Sequence, residues 1–222
     1  MSRYVIKFSK EGNIRYISHL DLLRLFKRSF KRTGVKLQYS QGFNPHPKMG
    51  FAQPLSLGYF SSGEYLEFDT MEPYENRYIL EKLNSIMPEG IEIFSCEELP
   101  PSGKTLAALA EYADYELLIP LQSGFDGDMK ELLEKFMTRD HIVVLKHQRK
   151  SGKDIELDIK PMIADIKVEV DNNNIMITMK LSAGSTANLS PEMVLSTFCE
   201  FAEIQYERAE VEIRRKEIYF NN

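Results

Sequence analysis

Strand-like and helix-like segments alternate in a fixed order along residues 1–99, and this order most limits the folds open to the chain. Alternating apolar residues in "RYVIKFSK" predict a strand at residues 4–8. The elements predicted after it are a helix at 19–32, a strand at 35–39, a strand pair across 49–70, a helix at 76–87 and a strand at 91–99. This β-α-β-β-α-β plan predicts a ferredoxin-like arrangement.

The first helix carries its own start and stop signals. Ser18 precedes the helical run and can cap it, and Asp21 three residues later suits a capping box. Gly34 follows the last predicted turn and suits the left-handed conformation that ends many helices. The helix is therefore predicted to run from residue 19 to residue 32.

The second half repeats this plan after a joint at residues 100–112, which holds two consecutive prolines and a glycine. Its predicted elements are a strand at 115–121, a helix at 128–139, strands at 141–148, 154–163, 164–171 and 175–182, a helix at 190–203 and a strand at 209–220. "DNNN" at 171–174 predicts a hairpin turn. We therefore predict an α+β protein of two tandem ferredoxin-like halves, residues 1–99 and 113–222, the second with an additional β-hairpin.

The net charge of −5 conceals a strong asymmetry along the chain. Residues 1–56 carry eleven Lys and Arg against two acids, whereas residues 57–138 carry five against seventeen. One interpretation is that the two segments neutralise each other in the fold. The other is that the basic segment presents a face that binds phosphate groups.

The basic residues of the first helix favour the second interpretation. At 100° per residue, apolar side chains gather on one side of this helix and cations on the opposite side. The cations are Arg24, Arg28, Lys31 and Arg32. Only one acid, Asp21, lies nearby in sequence, and binding of phosphates to such a face would depend steeply on salt. An ordinary solvated helix face has the same pattern, so both interpretations stay open.

A stiff polar loop follows, within "YSQGFNPHPKMGFAQPLSLGYF" at residues 39–60. Its side chains that could contact RNA are Gln41, Asn44, His46 and Lys48. Pro45 and Pro47 fix the backbone on both sides of His46, which could therefore donate to phosphate or transfer a proton. The two prolines could equally serve stability alone.

Three aromatic residues lie in or beside this loop, and a second histidine lies on the first helix. Tyr39, Phe43 and Phe51 could stack on bases, although strand aromatics more often belong to a core. His19 lies on the apolar side of the first helix, so we expect it to be packed and hydrogen-bonded.

Several classes of chemistry are not indicated. The chain has no GxxxxGK[ST] or GxGxxG motif, and Cys96 and Cys199 form no metal-ligand spacing, so we expect no metal and no cofactor. The sequence has no run of 18 apolar residues, and "MSRYVIKFSKEGN" lacks the apolar stretch of a signal peptide. These features predict a cytoplasmic protein without a membrane partner. A second basic run, "KHQRKSGK" at 146–153, could extend an RNA track or serve solubility.

Four motifs resemble those of a bacterial radical-SAM-linked family of unknown function. They are SHLD at 18–21, SQGFNPHP at 40–47, PLSLG at 54–58 and SGEY at 62–65. The resemblance implies a domain fused to, or encoded beside, a radical-SAM protein that looks cobalamin-dependent. This chain lacks the CxxxCxxC motif that binds a radical-SAM cluster, so it would be a separate partner of such a protein. The family brings no established activity, so the resemblance implies no catalytic residue.

Together these features predict an RNA-binding accessory protein that acts with a radical-SAM partner enzyme in RNA or ribosome modification or processing, on rRNA or tRNA. One alternative is a metal-independent ribonuclease with His46 or His19 as general acid or base and Lys48 stabilising the developing charge. Another is a protein-interaction module whose acidic middle, residues 57–138, docks a partner without binding RNA. Enzymatic activity is thus left open, and the binding role is preferred.

Overall fold

The computed structural model describes residues 2–121, 127–148, 152–171 and 174–221. The chain divides into two compact units, Met1–Glu111 with Arg214–Asn222, and Tyr112–Ile213. The strands are β1 (Ser2–Lys10), β2 (Met49–Phe51), β3 (Phe60–Thr70), β4 (Ile93–Leu99), β5 (Ala110–Pro120), β6 (Val143–Gln148), β7 (Lys153–Asp158), β8 (Ile163–Asp171), β9 (Asn174–Ser182) and β10 (Glu212–Phe220). The helices are α1 (His19–Thr33), α2 (Asn76–Asn84), α3 (Leu106–Leu109), α4 (Met129–Thr138) and α5 (Pro191–Phe201). This mixture confirms the predicted α+β class.

The first unit is built on an antiparallel sheet with the neighbour order β4-β1-β3-β2. Tyr4, Ile6 and Phe8 of β1 are fully buried, because alternate side chains of a strand point to one face. α1 packs on this face through Phe26 and Phe30, and the ring of Phe26 meets that of Phe8 edge-on at 4.9 Å. The apolar side of α1 therefore faces the core, and its cationic side faces solvent.

Both ends of α1 confirm the predicted capping. The Ser18 hydroxyl accepts a hydrogen bond from the backbone N–H of Asp21 at 3.1 Å and donates one to the Asp21 carboxylate at 2.7 Å. Gly34 ends the helix in the left-handed conformation, with φ of 79°. The observed helix extends one residue beyond the predicted end, to Thr33.

The predicted strand at residues 35–39 is wrong. The segment makes only two isolated bridges, Leu37 with Thr70 and Tyr39 with Pro47. Its bonding partner changes from β3 to the Pro-rich loop within two residues, so neither contact extends into a ladder. The result is an extended segment that closes the base of the loop beside α1.

Two predicted boundaries also shift. α2 ends at Asn84 instead of residue 87, because the N–H of Ile86 bonds to the carbonyl of Leu83 three residues back and Pro88 follows closely. The predicted joint at 100–112 contains α3 and the first residues of β5.

The last strand differs most from its predicted place. Residues 214–222, predicted to complete the second half, belong to the first unit, where β10 runs parallel to β3 with Arg214 opposite Phe60 and Arg215 opposite Ser61. The physical reason is the side chain of Arg215, which is buried in an ion pair with Glu64 of β3. A strand that carries a buried charge is fixed to the strand that holds its counter-charge.

In the second unit β9 pairs with β5 and with β8, both antiparallel, and β6 and β7 form a separate two-stranded sheet. α4 and α5 meet through Phe136 and Phe198, whose ring centroids are 5.4 Å apart. The predicted turn at 171–174 and the basic run at 146–153 include residues outside the described ranges. The tandem ferredoxin-like arrangement and a division of the chain at residues 100–112 remain predictions.

Among the helices in the described ranges, none has the length and apolar composition needed to span a membrane.

Candidate nucleic-acid interface

The solvent side of α1 presents a row of cations, Lys27, Arg28, Lys31 and Arg32, all exposed. Within the described ranges of the chain, none of the four forms an ion pair with a carboxylate. Arg24, predicted with them, is instead 2.8 Å from the Asp21 carboxylate. The sequence prediction omitted Lys27, although its i, i+4 spacing from Lys31 places both on one face. We call Lys27, Arg28, Lys31 and Arg32 the basic face of α1.

Most other bases of the first 56 residues are engaged within the first unit. The ion pairs are Arg3 with Glu67 at 2.5 Å, Lys7 with Glu217, Lys36 with Glu72 at 3.2 Å and Lys48 with Asp69 at 3.8 Å. Lys10 is buried, which lowers the pKa of its amine, and it donates to the carbonyls of Arg15 and Ile17 at 3.2 Å each. Internal neutralisation thus applies to the sheet and the loop, but not to the basic face of α1.

The Pro-rich loop is closed at its base by Ser40 and His46. The N–H of Ser40 donates to the carbonyl of His46 at 2.8 Å, and the N–H of His46 donates to the Ser40 hydroxyl at 3.1 Å. Gly42 has a φ of 134°, a conformation that favours glycine, and it turns the chain at the tip. Gln41 and Asn44 are exposed on the same turn. Hydrogen bonds as well as prolines therefore hold the loop.

The imidazole of His46 is bonded inside the loop through one nitrogen. Its Nδ1 lies 3.1 Å from the Ser40 hydroxyl and 3.3 Å from the carbonyl of Asn44. These two partners fix the ring orientation while the side chain stays exposed. Lys48 is the predicted charge-stabilising residue in the ribonuclease alternative. Its amine forms an ion pair with the Asp69 carboxylate at 3.8 Å.

His19 is in a different environment. It is half-buried, and its ring centroid lies 5.1 Å from that of Phe51 in an edge-on contact. Burial lowers the pKa of His19, with Glu64 opposing and Lys10 adding to the shift. His19 is therefore a neutral packing residue at pH 7. The helix pattern predicted the packing, but the predicted hydrogen bond is not found within the described ranges. The ring contact of His19 is with the core, whereas the hydrogen bonds of His46 are within the loop.

The three aromatic residues proposed for base stacking have different exposures. Phe51 is 8% exposed and belongs to the core. Tyr39 is 43% exposed, and Phe43, at the loop tip, is fully exposed. Tyr39 and Phe43 are therefore accessible to a ligand, and Phe51 is not.

A buried ion pair, missed by the sequence analysis, fixes the segment that follows the loop. The Arg215 guanidinium binds both carboxylate oxygens of Glu64, at 2.8 and 2.5 Å, and donates to the carbonyl of Gln53 at 3.0 Å. The Ser61 hydroxyl donates to the Glu64 carboxylate at 2.6 Å. The SGEY and PLSLG motifs thus have a structural role here, because Glu64 holds Arg215 and Arg215 holds the backbone before Leu55.

The two thiols are not placed for chemistry at the surface. Cys96 and Cys199 are both buried, and burial raises the pKa of each to about 12. A thiol with so high a pKa is a poor nucleophile at neutral pH. Across the parts of the chain that the structure describes, no group of three or more His, Cys, Asp or Glu is positioned to hold a metal ion.

Comparisons with known proteins place the chain in a family and give it a structural neighbour. The family described as "Uncharacterized protein conserved in bacteria (DUF2344)" matches residues 3–191. A search of curated proteins found no match. The fold is similar to that of a chain in "Crystal Structure of a Cbf5-Nop10-Gar1 Complex", with a TM-score of 0.54 and 12% identity, over 97% of this chain and 48% of the other. This chain thus spans about half the length of that neighbour, and the likeness concerns the fold alone.

Proposed function

The chain belongs to the bacterial family DUF2344, and we propose that it binds RNA through the basic face of α1. The observation that carries this proposal is the contrast between this face and most other bases of residues 1–56. Arg3, Lys7, Lys36 and Lys48 have carboxylate partners, whereas the basic face has none in the described part of the chain. Cations without internal partners are free to exchange their counterions for phosphates.

The helix itself gains from such a ligand. Lys27 with Lys31 and Arg28 with Arg32 are like-charge pairs at i, i+4, each destabilising by about 0.2–0.5 kcal/mol in isolation. A polyanion along the face removes this repulsion and adds charge-assisted hydrogen bonds. The exposed ring of Phe43 and the amides of Gln41 and Asn44 on the loop add groups that stack on or donate to bases.

The proposed biological role is that of an accessory protein that delivers RNA, rRNA or tRNA, to a radical-SAM partner enzyme in RNA or ribosome modification or processing. The radical-SAM partner is inferred from a resemblance: the SHLD, SQGFNPHP, PLSLG and SGEY motifs are similar to those of a radical-SAM-linked family. This chain contributes RNA binding, and the chemistry belongs to the partner.

Charge reversal on α1 tests the RNA-binding proposal. We expect the variant R28E/K31E/R32E to lose cellular RNA retention by about tenfold or more, because three phosphate contacts become three repulsions. The measurement is the amount of RNA that copurifies with the tagged full chain at low salt. The matched control is R77E/K82E/K104E, which reverses three exposed cations elsewhere in the first unit.

The control variant should retain RNA like the wild type. Equal retention by the wild type and R28E/K31E/R32E, with both folded by circular dichroism, would refute RNA binding by α1. Copurification of the radical-SAM protein without any RNA would favour the protein-interaction alternative.

A further inference from the structure

A groove beside the basic face of α1 is not used by the phosphate contacts described above. It has a volume of about 380 Å³ and lies between α1 and the extended segment after Gly34. Its floor is apolar and closed: Phe30, Val35 and Leu37 are at most 6% exposed. Its rim carries two accessible side chains, Tyr39 at 43% and Met71 at 65% exposed. The groove therefore offers an apolar slot edged by an aromatic ring.

The charges around this slot are cationic. Lys27, Lys31 and Lys36 line it, and the first two belong to the basic face of α1. Lys36 is held by Glu72, whose own pKa is lowered by hydrogen bonds from Tyr74 and Lys36. Lys27 and Lys31 form no ion pair within the described ranges, and both lie on the helix side of the groove.

From these contacts we propose that the groove takes one unpaired base of single-stranded RNA, with flanking phosphates on Lys27 and Lys31. This inference rests on the proposed RNA binding and names its substrate class. The base would stack on Tyr39 and contact Met71, while its backbone follows α1. The phosphates of RNA complement the charges of Lys27 and Lys31, whereas an apolar peptide would leave these two lysines without a counter-charge.

The groove separates single strands from duplexes for a physical reason. Phosphate contacts by the basic face carry no information about base pairing, so that face alone would hold both forms. In a duplex, each base is stacked on both faces and paired along its edge, and entry into the groove would require unpairing and unstacking. An unpaired base meets no such barrier and gains a stacking partner.

Binding of defined RNAs to the full chain tests this inference. The probes are a labelled oligouridine of about twelve nucleotides, within the site sizes of single-strand binders, and an RNA duplex of the same length. We expect the wild type to prefer the single strand, and Tyr39→Ala to weaken single-strand binding about tenfold, as expected for the loss of one base stack. Tyr39→Phe keeps the ring and should bind like the wild type. Met71→Glu adds a negative charge at the exposed rim and should also weaken binding.

Tyr78→Ala is the matched control, because Tyr78 is 40% exposed on α2 and outside the groove. Photocrosslinking of 5-iodouridine, read by mass spectrometry, should label the peptide that contains Tyr39. Equal affinity of the wild type for single strand and duplex, with no effect of Tyr39→Ala or Met71→Glu, would overturn the groove while leaving RNA binding intact. Absence of binding to either RNA would overturn both proposals.

Discussion

Gly63 explains why the SGEY motif needs a glycine. A Cβ on Gly63 would lie 2.4 Å from the backbone carbonyl oxygen of Lys216, far inside normal contact. The neighbouring Glu64 and Ser61 bind Arg215 and its backbone on the same strand pair. The motif therefore joins β3 to β10, and β10 holds the backbone at Gln53 and Pro54 through Arg215.

Replacing Gly63 by Ala should destabilise the protein by about 1–3 kcal/mol, the usual penalty for forcing an atom into packed surroundings. The obstacle is a backbone oxygen, which cannot rotate away as a side chain would. Urea denaturation measures the change in the free energy of unfolding. Gly50→Ala is the matched control, because Gly50 is also a strand glycine but has no atom within 4 Å of its added Cβ. An equal effect of the two substitutions would contradict the steric role of Gly63.

At this scale the sequence predicted residues that act locally and missed those that act across the fold. Ser18, Asp21 and Gly34 follow rules that depend only on neighbours along the chain. Arg215 has the pattern of an exposed strand arginine, and only the distant Glu64 makes its burial possible.

α1 is the element on which the proposed function depends, and hydrogen bonds to a carboxylate stabilise its first turn. The pKa of the Asp21 carboxyl is lowered, first by the hydrogen bond from Ser18 and then by the hydrogen bond from Arg24. Since the pKa is lower in the folded state, the carboxylate stabilises the fold above its unfolded pKa of about 3.9. That contribution is lost as the pH falls through the folded-state pKa.

Asp21→Asn should therefore lower the stability at pH 7, and its difference from the wild type should be smaller at pH 2, because the carboxyl loses its charge as the pH falls through its lowered folded-state pKa. Urea midpoints of the wild type and the variant at the two pH values measure this difference. Asp140→Asn provides the comparison, because Asp140 is exposed and makes no ion pair within the described ranges. A difference between wild type and Asp21→Asn that persists unchanged at pH 2 would contradict the electrostatic origin.

Element order was predictable where a single periodicity covers a whole segment, as in β1, α1 and β3. The strand predicted at 35–39 is wrong because alternating apolar residues indicate only that one side of a segment is buried. They do not indicate that the segment pairs with a neighbouring strand. Leu37 and Tyr39 alternate as a strand would, yet they face a groove and a loop. The same departure from a regular strand creates the groove, so the error falls at the proposed base-binding site.

For the molecule as a whole, net charge is a poor guide to binding. The chain is acidic, with a net charge of −5, but some of its acids, among them Glu67, Asp69 and Glu72, are used in the ion pairs of the first unit. The sequence could show an excess of bases in residues 1–56, but not which of them would be neutralised. That distinction needs tertiary contacts, since the partners of Arg3 and Lys7 lie 64 and 210 positions away.

The number of unneutralised cations gives a prediction for the salt dependence of binding. For single strands the slope of log K against log salt is about −0.7 per phosphate contact, so the four cations of the basic face of α1 predict a slope of about −3. The neutral variant R28Q/K31Q/R32Q leaves Lys27 alone and should reduce the slope to about −0.7. Anisotropy of labelled oligouridine between about 50 and 200 mM salt measures both slopes. A neutral variant that keeps the wild-type slope would mean that phosphates bind elsewhere, because removing three counterion-releasing contacts must flatten the dependence.

A second variant should change the slope in the opposite direction. Glu72→Gln releases Lys36 from its ion pair, so a fifth cation becomes available to phosphates and the slope should become steeper. A general loss of stability would weaken binding without making its salt dependence steeper.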